Sequence, residues 1–69
     1  MESLGTIFKQ IRERNGITLE EIENATKIRT KYLKAIEEDK FDEIPGKVYA
    51  KGFVKSYARY LKIDQEPVI

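Results

Sequence analysis

The sequence predicts an all-α fold, a compact bundle of four to five short helices. Helix-forming residues dominate the chain, and the strict alternation of apolar and polar residues that is typical of strands is missing. Capping and stop signals divide the helical pattern into four segments, at about residues 3–14, 18–26, 29–38 and 47–62. Because the chain has only 69 residues, we expect residues 1–69 to form a single domain.

The first predicted helix begins after Ser3, a residue type that favours the N-cap position. Its apolar residues recur at positions i, i+3, i+4 and i+7, which predicts one buried face: Leu4, Ile7, Phe8 and Ile11. Asn15 and Gly16 are expected to end this helix, since both residue types tolerate the left-handed conformation that closes a helix.

The second and third predicted helices are very close together along the chain. Thr18 followed three residues later by Glu21 is the capping-box pattern, so the second helix begins there. Its buried stripe is predicted to be Leu19, Ile22 and Ala25. The third helix follows after Lys27 and Ile28, a separation so short that the two helices must cross at a large angle, as in a helix-turn-helix.

The third predicted helix directs Leu33 and Ile36 inward and ends in an acidic run at residues 37–39. Negative charge is unfavourable at a helix C-terminus, so this run indicates the helix end. Phe41 and Ile44 are the expected core anchors of the connector that follows, before a Pro-Gly pair that precludes a continuous helix.

The fourth predicted helix carries four of the chain's seven aromatic residues. On a helical wheel, one arc is predicted to face the core and holds Ala50, Val54, Tyr57 and Leu61. A neighbouring cluster holds Tyr49, Phe53 and Tyr60, and a third arc is basic, with Lys47, Lys51, Lys55, Arg59 and Lys62. The aromatic cluster either completes the core, with hydroxyl groups in water, or anchors a partner protein.

Composition argues against an enzyme. The chain has no Cys and no His, which removes thiol nucleophiles, the usual general base and the common zinc ligands. We therefore predict no catalytic residues, no cofactor, no metal and no small-molecule substrate. Thirteen basic and twelve acidic residues nearly cancel, and no apolar run approaches the roughly 20 residues of a membrane span.

DNA binding is the alternative to protein binding. The N-terminal part of the second helix of a helix-turn-helix enters the major groove. Here that part offers Arg29, Thr30, Lys31 and Lys34 as possible DNA contacts. The nearby acidic run opposes phosphate, and the helix has no Asn or Gln to read adenine. DNA binding is therefore expected to be weak and salt-sensitive.

Three segments together resemble the N-terminal cytoplasmic domain of the RodZ family of bacterial cell-shape proteins: LGTIFKQIRERNGITLEEI, TKIRTKYLKAIEEDKFDEIPG and VYAKGFVKSYARYLKID. The last is the most specific, with the pattern aromatic-x-basic-Gly-aromatic-x-x-x-Tyr-Ala-Arg. The resemblance implies a lambda-repressor-like helix-turn-helix fold and a location at the cytoplasmic face of the inner membrane. It also implies that the partner is MreB, the bacterial actin homologue.

The resemblance further implies a binding surface on the fourth helix, with a contribution from the second. Tyr49 and Phe53 match the family's paired aromatic residues, which suggests that both rings are surplus to packing and face a partner. Lys51 and Lys55 match the flanking basic positions, and Tyr60 could serve the core or the partner. On the second helix, the exposed residues are expected to be Glu20, Glu21 and Asn24. Since the family has a membrane span and a periplasmic part, these 69 residues are expected to be a fragment of a longer, membrane-anchored protein.

Overall fold

The structure, a computed structural model, describes residues 3–62 as four α-helices and one 3-10 turn. In chain order these are α1 (Leu4–Arg14), α2 (Leu19–Thr26), α3 (Thr30–Glu37), the 3-10 turn (Phe41–Glu43) and α4 (Lys47–Leu61). No strand occurs in that range, so the predicted all-α class is confirmed. Each helix bound lies within one residue of its predicted position, and residues 1–2 and 63–69 of the predicted domain lie outside the described residues.

The two predicted N-caps are confirmed. The Ser3 Oγ accepts a hydrogen bond from the backbone N–H of Thr6 at 3.2 Å. The Thr18 Oγ1 accepts from the backbone N–H of Glu21 at 3.1 Å, while the Glu21 carboxylate accepts from the Thr18 N–H at 2.9 Å. Each cap satisfies N–H groups that have no partner within the helix, which fixes where α1 and α2 begin.

The end of α1 differs slightly from the prediction. Only Gly16 adopts the left-handed conformation, with φ of +67°, whereas Asn15 has φ of −94°. The Asn15 side chain instead donates to the carbonyl oxygen of Ile11 at 2.7 Å. Gly16 alone therefore reverses the chain direction at this end.

α2 and α3 form a helix-turn-helix motif. They are joined by three residues, 27–29, and the side chain of Ile28 is buried beneath this turn. Lys27 adopts the left-handed conformation, and its N–H donates to the Glu23 carbonyl oxygen at 2.7 Å. The Thr30 hydroxyl donates to the Glu23 carboxylate at 2.6 Å, which ties the start of α3 to α2.

The core lies where α4 packs against the other three helices. Its largest fully buried side chains are Phe8, Ile22, Leu33, Ile36 and Tyr57, all of which were predicted to face inward. The rings of Phe8 and Tyr57 meet edge to face with centroids 4.9 Å apart, so α1 and α4 share one aromatic contact at the centre.

Two residues predicted to be buried are exposed. Leu4 is 45% exposed because α1 turns Gly5 and Phe8, not Leu4, toward the core. A Cβ at Gly5 would lie 2.5 Å from the carbonyl oxygen of Glu37, so only glycine permits this close approach of α1 to the end of α3. Ala25 is exposed because the partly buried stripe of α2 continues from Ile22 to Thr26 instead.

Candidate functional site

The first two turns of α4 expose large apolar side chains. Val48 is 81% exposed and Tyr49 is 64% exposed, and Leu4 is the other large exposed hydrophobic residue of the described range. Gly52 lies one turn further along, and a Cβ added there would meet nothing within 4 Å. The helix backbone is therefore accessible next to two exposed apolar side chains, which is typical of a protein-binding surface.

Tyr49 is the outer end of a row of aromatic rings. The centroids of Tyr49 and Phe53 are 6.3 Å apart, and Phe53 stacks on Tyr32 of α3 at 5.7 Å. The Lys31 ammonium lies 5.2 Å from the centre of the Tyr32 ring at the other end. Phe53 is half-buried in this row, so the expectation that it is surplus to packing is wrong, whereas Tyr49 remains mostly in solvent.

The other three predicted partner residues lie elsewhere on α4. Lys51 and Lys55 are exposed and line a groove with Phe41, Ala50 and Val54. At about 100° per residue, they lie roughly 120–160° around the helix from Tyr49. Tyr60 is half-buried about 16 Å further along the axis and lines a separate groove with Ala25, Thr26, Ser56 and Arg59.

The predicted DNA-contacting residues divide into two groups. Arg29, Lys31 and Lys34 are exposed at the start and middle of α3, and no side-chain hydrogen bond caps this helix at Arg29. Thr30 is half-buried, and its hydroxyl is already bonded to Glu23. Three cations are therefore open to solvent on this face, whereas Thr30 has a structural contact within the motif.

A buried polar cluster joins α1, α3 and α4, and it was missed at the level of sequence. The Arg12 guanidinium binds the Glu37 carboxylate through Nε to Oε2 at 2.7 Å and Nη2 to Oε1 at 3.3 Å. The Tyr57 hydroxyl donates to the same Oε2, and Arg12 Nη1 donates to the Ile17 carbonyl oxygen at 2.9 Å. The acidic run does mark the end of α3, but the Glu37 side chain is only 3% exposed, so the first residue of this run belongs to the core.

Burial and hydrogen bonding perturb this cluster. Burial, more than any other effect, raises the pKa of Tyr57, and its hydrogen bond to the Glu37 carboxylate acts in the same direction. The hydrogen bond to Glu37 raises the pKa of Arg12, against the opposing effect of desolvation. The cluster is thus stable with Arg12 charged and Tyr57 neutral, as expected of a structural element.

The sequence does contain a signal for this cluster. Arg12 follows Phe8 by four residues and therefore lies on the inward face of α1. Glu37 follows Leu33 by four residues and lies on the inward face of α3. One charge of each sign on an apolar stripe indicates a buried pair, because a single buried charge is too unfavourable.

Two kinds of site are missing from the described range. Between residues 3 and 62, no group of three or more Asp, Glu, His or Cys side chains is placed so that it could hold a metal ion. None of the helices in that same range is long and apolar enough to cross a membrane.

Comparison with known proteins identifies the class. Residues 7–68 match a family model that describes a helix-turn-helix domain. The matched range contains α2, α3 and the three-residue turn between them, together with α4. The chain therefore belongs to this family of helix-turn-helix domains.

The individual relatives are bacterial proteins. The chain is 31% identical over 68 residues to the cytoskeleton protein RodZ of Streptococcus pneumoniae (strain ATCC BAA-255 / R6), a match that covers 99% of this chain and 25% of RodZ. It is 42% identical over 50 residues to YmfM, an uncharacterised membrane protein of Bacillus subtilis (strain 168), covering 72% of this chain and 17% of YmfM. The predicted resemblance to the RodZ family is confirmed by this similarity.

A solved structure supports the same assignment. YmfM from Staphylococcus aureus, described as a candidate DNA-binding membrane protein, aligns with a TM-score of 0.85 at 40% identity. The alignment covers 90% of this chain and 76% of that chain. The curated relatives are much longer than this solved structure: the present chain spans only 25% of RodZ and 17% of the Bacillus subtilis YmfM.

Proposed function

We propose that this chain is a non-catalytic protein-interaction module that binds the actin homologue MreB. In this proposal it links the filament to the membrane morphogenesis machinery at the cytoplasmic face of the inner membrane. The observation that carries the proposal is the exposure of Val48 and Tyr49 on α4, in a chain that is similar to RodZ over 99% of its length. Because the chain matches only 25% of RodZ, we propose that it is one part of a longer, membrane-anchored protein.

The surface around Tyr49 has the properties of a binding anchor. The Tyr49 ring lies against Phe53, which is held in turn by Tyr32, so its position is restricted before a partner arrives. Such preorganisation reduces the entropy lost on binding. Gly52 leaves room for a partner to approach the helix backbone. Exposed Tyr side chains of this kind are enriched among the residues that dominate interface energies.

The remaining predicted residues belong to the borders of the proposed surface. Lys51 and Lys55 lie on the other edge of the exposed face of α4, where their charges would accelerate association with an acidic partner. Tyr60 lies in a groove that α4 shares with the C-terminal end of α2, which supports a contribution from α2. The α2 residues expected to be exposed are all exposed: Glu20, Glu21 and Asn24.

The test is co-sedimentation of the domain with polymerised MreB. We expect Tyr49→Ala to weaken binding by about 30-fold, which corresponds to about 2 kcal/mol for a hot-spot residue. The matched control is Leu4→Ala, which removes another exposed apolar side chain on a different helix and should leave binding unchanged. Circular dichroism establishes that each variant is folded, and undiminished binding by folded Tyr49→Ala would contradict the proposal.

DNA binding is a second candidate function, favoured by one specific observation. Lys31 and Lys34 are exposed on α3, the helix that would enter the major groove, and Arg29 is exposed at its N-cap. Fluorescence anisotropy with a labelled duplex tests this function across a range of salt concentrations. Phosphate binding predicts that the logarithm of the affinity falls with the logarithm of salt, with a slope of about −0.9 for each contact. Loss of binding in Arg29→Ala/Lys34→Ala would support DNA as a ligand, and a duplex affinity unaffected by that change would exclude this face.

A further inference from the structure

A groove between the 3-10 turn and α4 adjoins the surface proposed above at Lys51 and Lys55, but its apolar floor has no role in the functions proposed above. Its floor is formed by Phe41, Ala50 and Val54, and its volume is about 460 Å³. An adjoining recess of about 570 Å³ shares Phe41 and Ala50 and extends as far as Ile44. We call the two together the Phe41 groove. Its size lies within the range of about 300–1,000 Å³ that is common for ligand pockets, and its floor is apolar.

One edge of the Phe41 groove is basic. Lys47, Lys51 and Lys55 follow one another at intervals of four residues, so they lie in a line about 12 Å long on α4. All three are exposed, and among residues 3–62 none of them forms an ion pair. Asp42 lies at one end of the groove and offsets only part of this charge. The groove thus combines an apolar floor with a row of available positive charges.

The chemistry of the groove selects the occupant. A free anion would gain nothing from the apolar floor, and a nucleic acid backbone would present phosphates without apolar side chains. A helix with apolar residues at positions i, i+3, i+4 and i+7 inserts those residues into such a groove. Carboxylates that flank this stripe would match the spacing of the lysines, because residues four apart on any α-helix are separated by about 6 Å.

We propose that the Phe41 groove binds an acidic amphipathic helix of a partner protein. The apolar side chains of that helix cover Phe41 and Val54, and its Asp or Glu residues pair with the three lysines. This site goes beyond the proposed MreB surface, since the lysine edge lies roughly 120–160° around α4 from Tyr49. The apolar floor of the groove is therefore separate from the Tyr49 surface, and the two share only Lys51 and Lys55 at their common border.

The test is selection of a phage-displayed library of random peptides about 15 residues long, long enough for four helical turns. Selected peptides are synthesised, and their affinities are measured by fluorescence anisotropy against the whole chain. We expect a consensus with apolar residues at helical spacing flanked by Asp or Glu. Lys51→Glu/Lys55→Glu should weaken binding at least tenfold. The matched control is Lys9→Glu/Arg14→Glu, which makes the same change in net charge at two exposed positions on α1 and should have little effect.

The other outcomes overturn the proposal. Selection of peptides without acidic residues would show that the groove does not select this chemistry. Peptides that bind the groove variant and the control variant with equal affinity would show the same. Peptide binding that is lost in Tyr49→Ala and retained in Lys51→Glu/Lys55→Glu would assign the peptides to the Tyr49 surface. The MreB proposal would then remain intact. Binding of the wild type to vesicles with anionic lipid, abolished by Lys51→Glu/Lys55→Glu, would identify a membrane as the occupant instead. A concentration-dependent dimer lost in the same variant would identify a second copy of this chain.

Discussion

Replacing Arg12 with Met is expected to remove most of the stability of the domain. The change leaves the Glu37 carboxylate, whose side chain is 3% exposed, with only the Tyr57 hydroxyl as its described side-chain partner. Breaking a buried pair by removing one member reduces the free energy of unfolding by about 3–5 kcal/mol. At roughly 0.05–0.15 kcal/mol per residue, a domain of this length has about 3–10 kcal/mol in total. The variant should therefore lie near its unfolding midpoint or unfold at a low urea concentration.

The measurement is urea unfolding followed by circular dichroism. Met is chosen because it is unbranched and forms helices nearly as well as Arg, so the propensity of α1 is preserved. The control is Lys40→Met, which breaks the exposed pair between Lys40 and Glu38 at 3.5 Å. An exposed pair of this kind contributes up to about 1 kcal/mol. If the two single variants lose equal stability, Glu37 is solvated and the reasoning is refuted.

A third variant separates lost charge pairing from lost packing. Arg12→Met/Glu37→Leu/Tyr57→Phe replaces the whole polar cluster with apolar side chains of similar size. Such replacements are often neutral or stabilising, because no buried charge is left unpaired. The triple variant should regain most of the stability lost by Arg12→Met. Failure to recover would show that the loss in Arg12→Met comes from other contacts of Arg12, such as its bond to the Ile17 carbonyl oxygen, and not from an unpaired Glu37 charge.

Three further predictions concern Tyr57, Gly5 and Thr18. Because the pKa of Tyr57 is raised in the folded state, its neutral form stabilises the fold below the usual tyrosine pKa of about 10, and this contribution is lost as the pH rises above that value. Unfolding titrations from pH 9 upward should therefore show a steeper loss in the wild type than in Tyr57→Phe, and parallel curves would contradict the raised pKa. Gly5→Ala should destabilise the domain by about 1–3 kcal/mol, because the added Cβ would overlap the backbone at Ile36 and Glu37. Urea unfolding measures this loss, and a loss below about 0.5 kcal/mol would show that α1 can move away. Thr18→Ala should reduce the free energy of unfolding by about 1 kcal/mol through loss of the capping box, with Thr18→Ser as the control that keeps the oxygen.

Local signals were sufficient to place the helices. Ser3 and the Thr18–Glu21 pair are caps whose hydrogen bonds join residues three apart, so their partners are visible in a short window of sequence. Gly16 ends α1 by adopting the left-handed conformation, which glycine enters without steric cost. Periodicity alone also identified Phe8 as a core residue. Each of these features depends on neighbours along the chain, which the sequence displays directly.

The candidate sites depended more on the tertiary structure. The wheel of α4 places Tyr49 and Phe53 on one arc, yet only the position of Tyr32 on α3 decides that Phe53 is covered and Tyr49 is exposed. Likewise, Phe41 reaches α4 from a separate turn, so the groove that it forms beside Lys51 does not exist in the pattern of the helix alone.

The sequence by itself determined the all-α class, the helix bounds and the helix-turn-helix motif of this protein, because these follow from backbone hydrogen bonding and side-chain periodicity within about ten residues. Only the tertiary structure decided that the inward face of α1 includes Gly5 and leaves Leu4 exposed, because Gly5 allows a contact with the end of α3 more than 30 residues away. It also decided that the Glu37 side chain is buried, because Arg12 and Tyr57 contact it from two other helices. Burial and pairing are properties of the packed chain, since they depend on which distant residues exclude water from a given side chain.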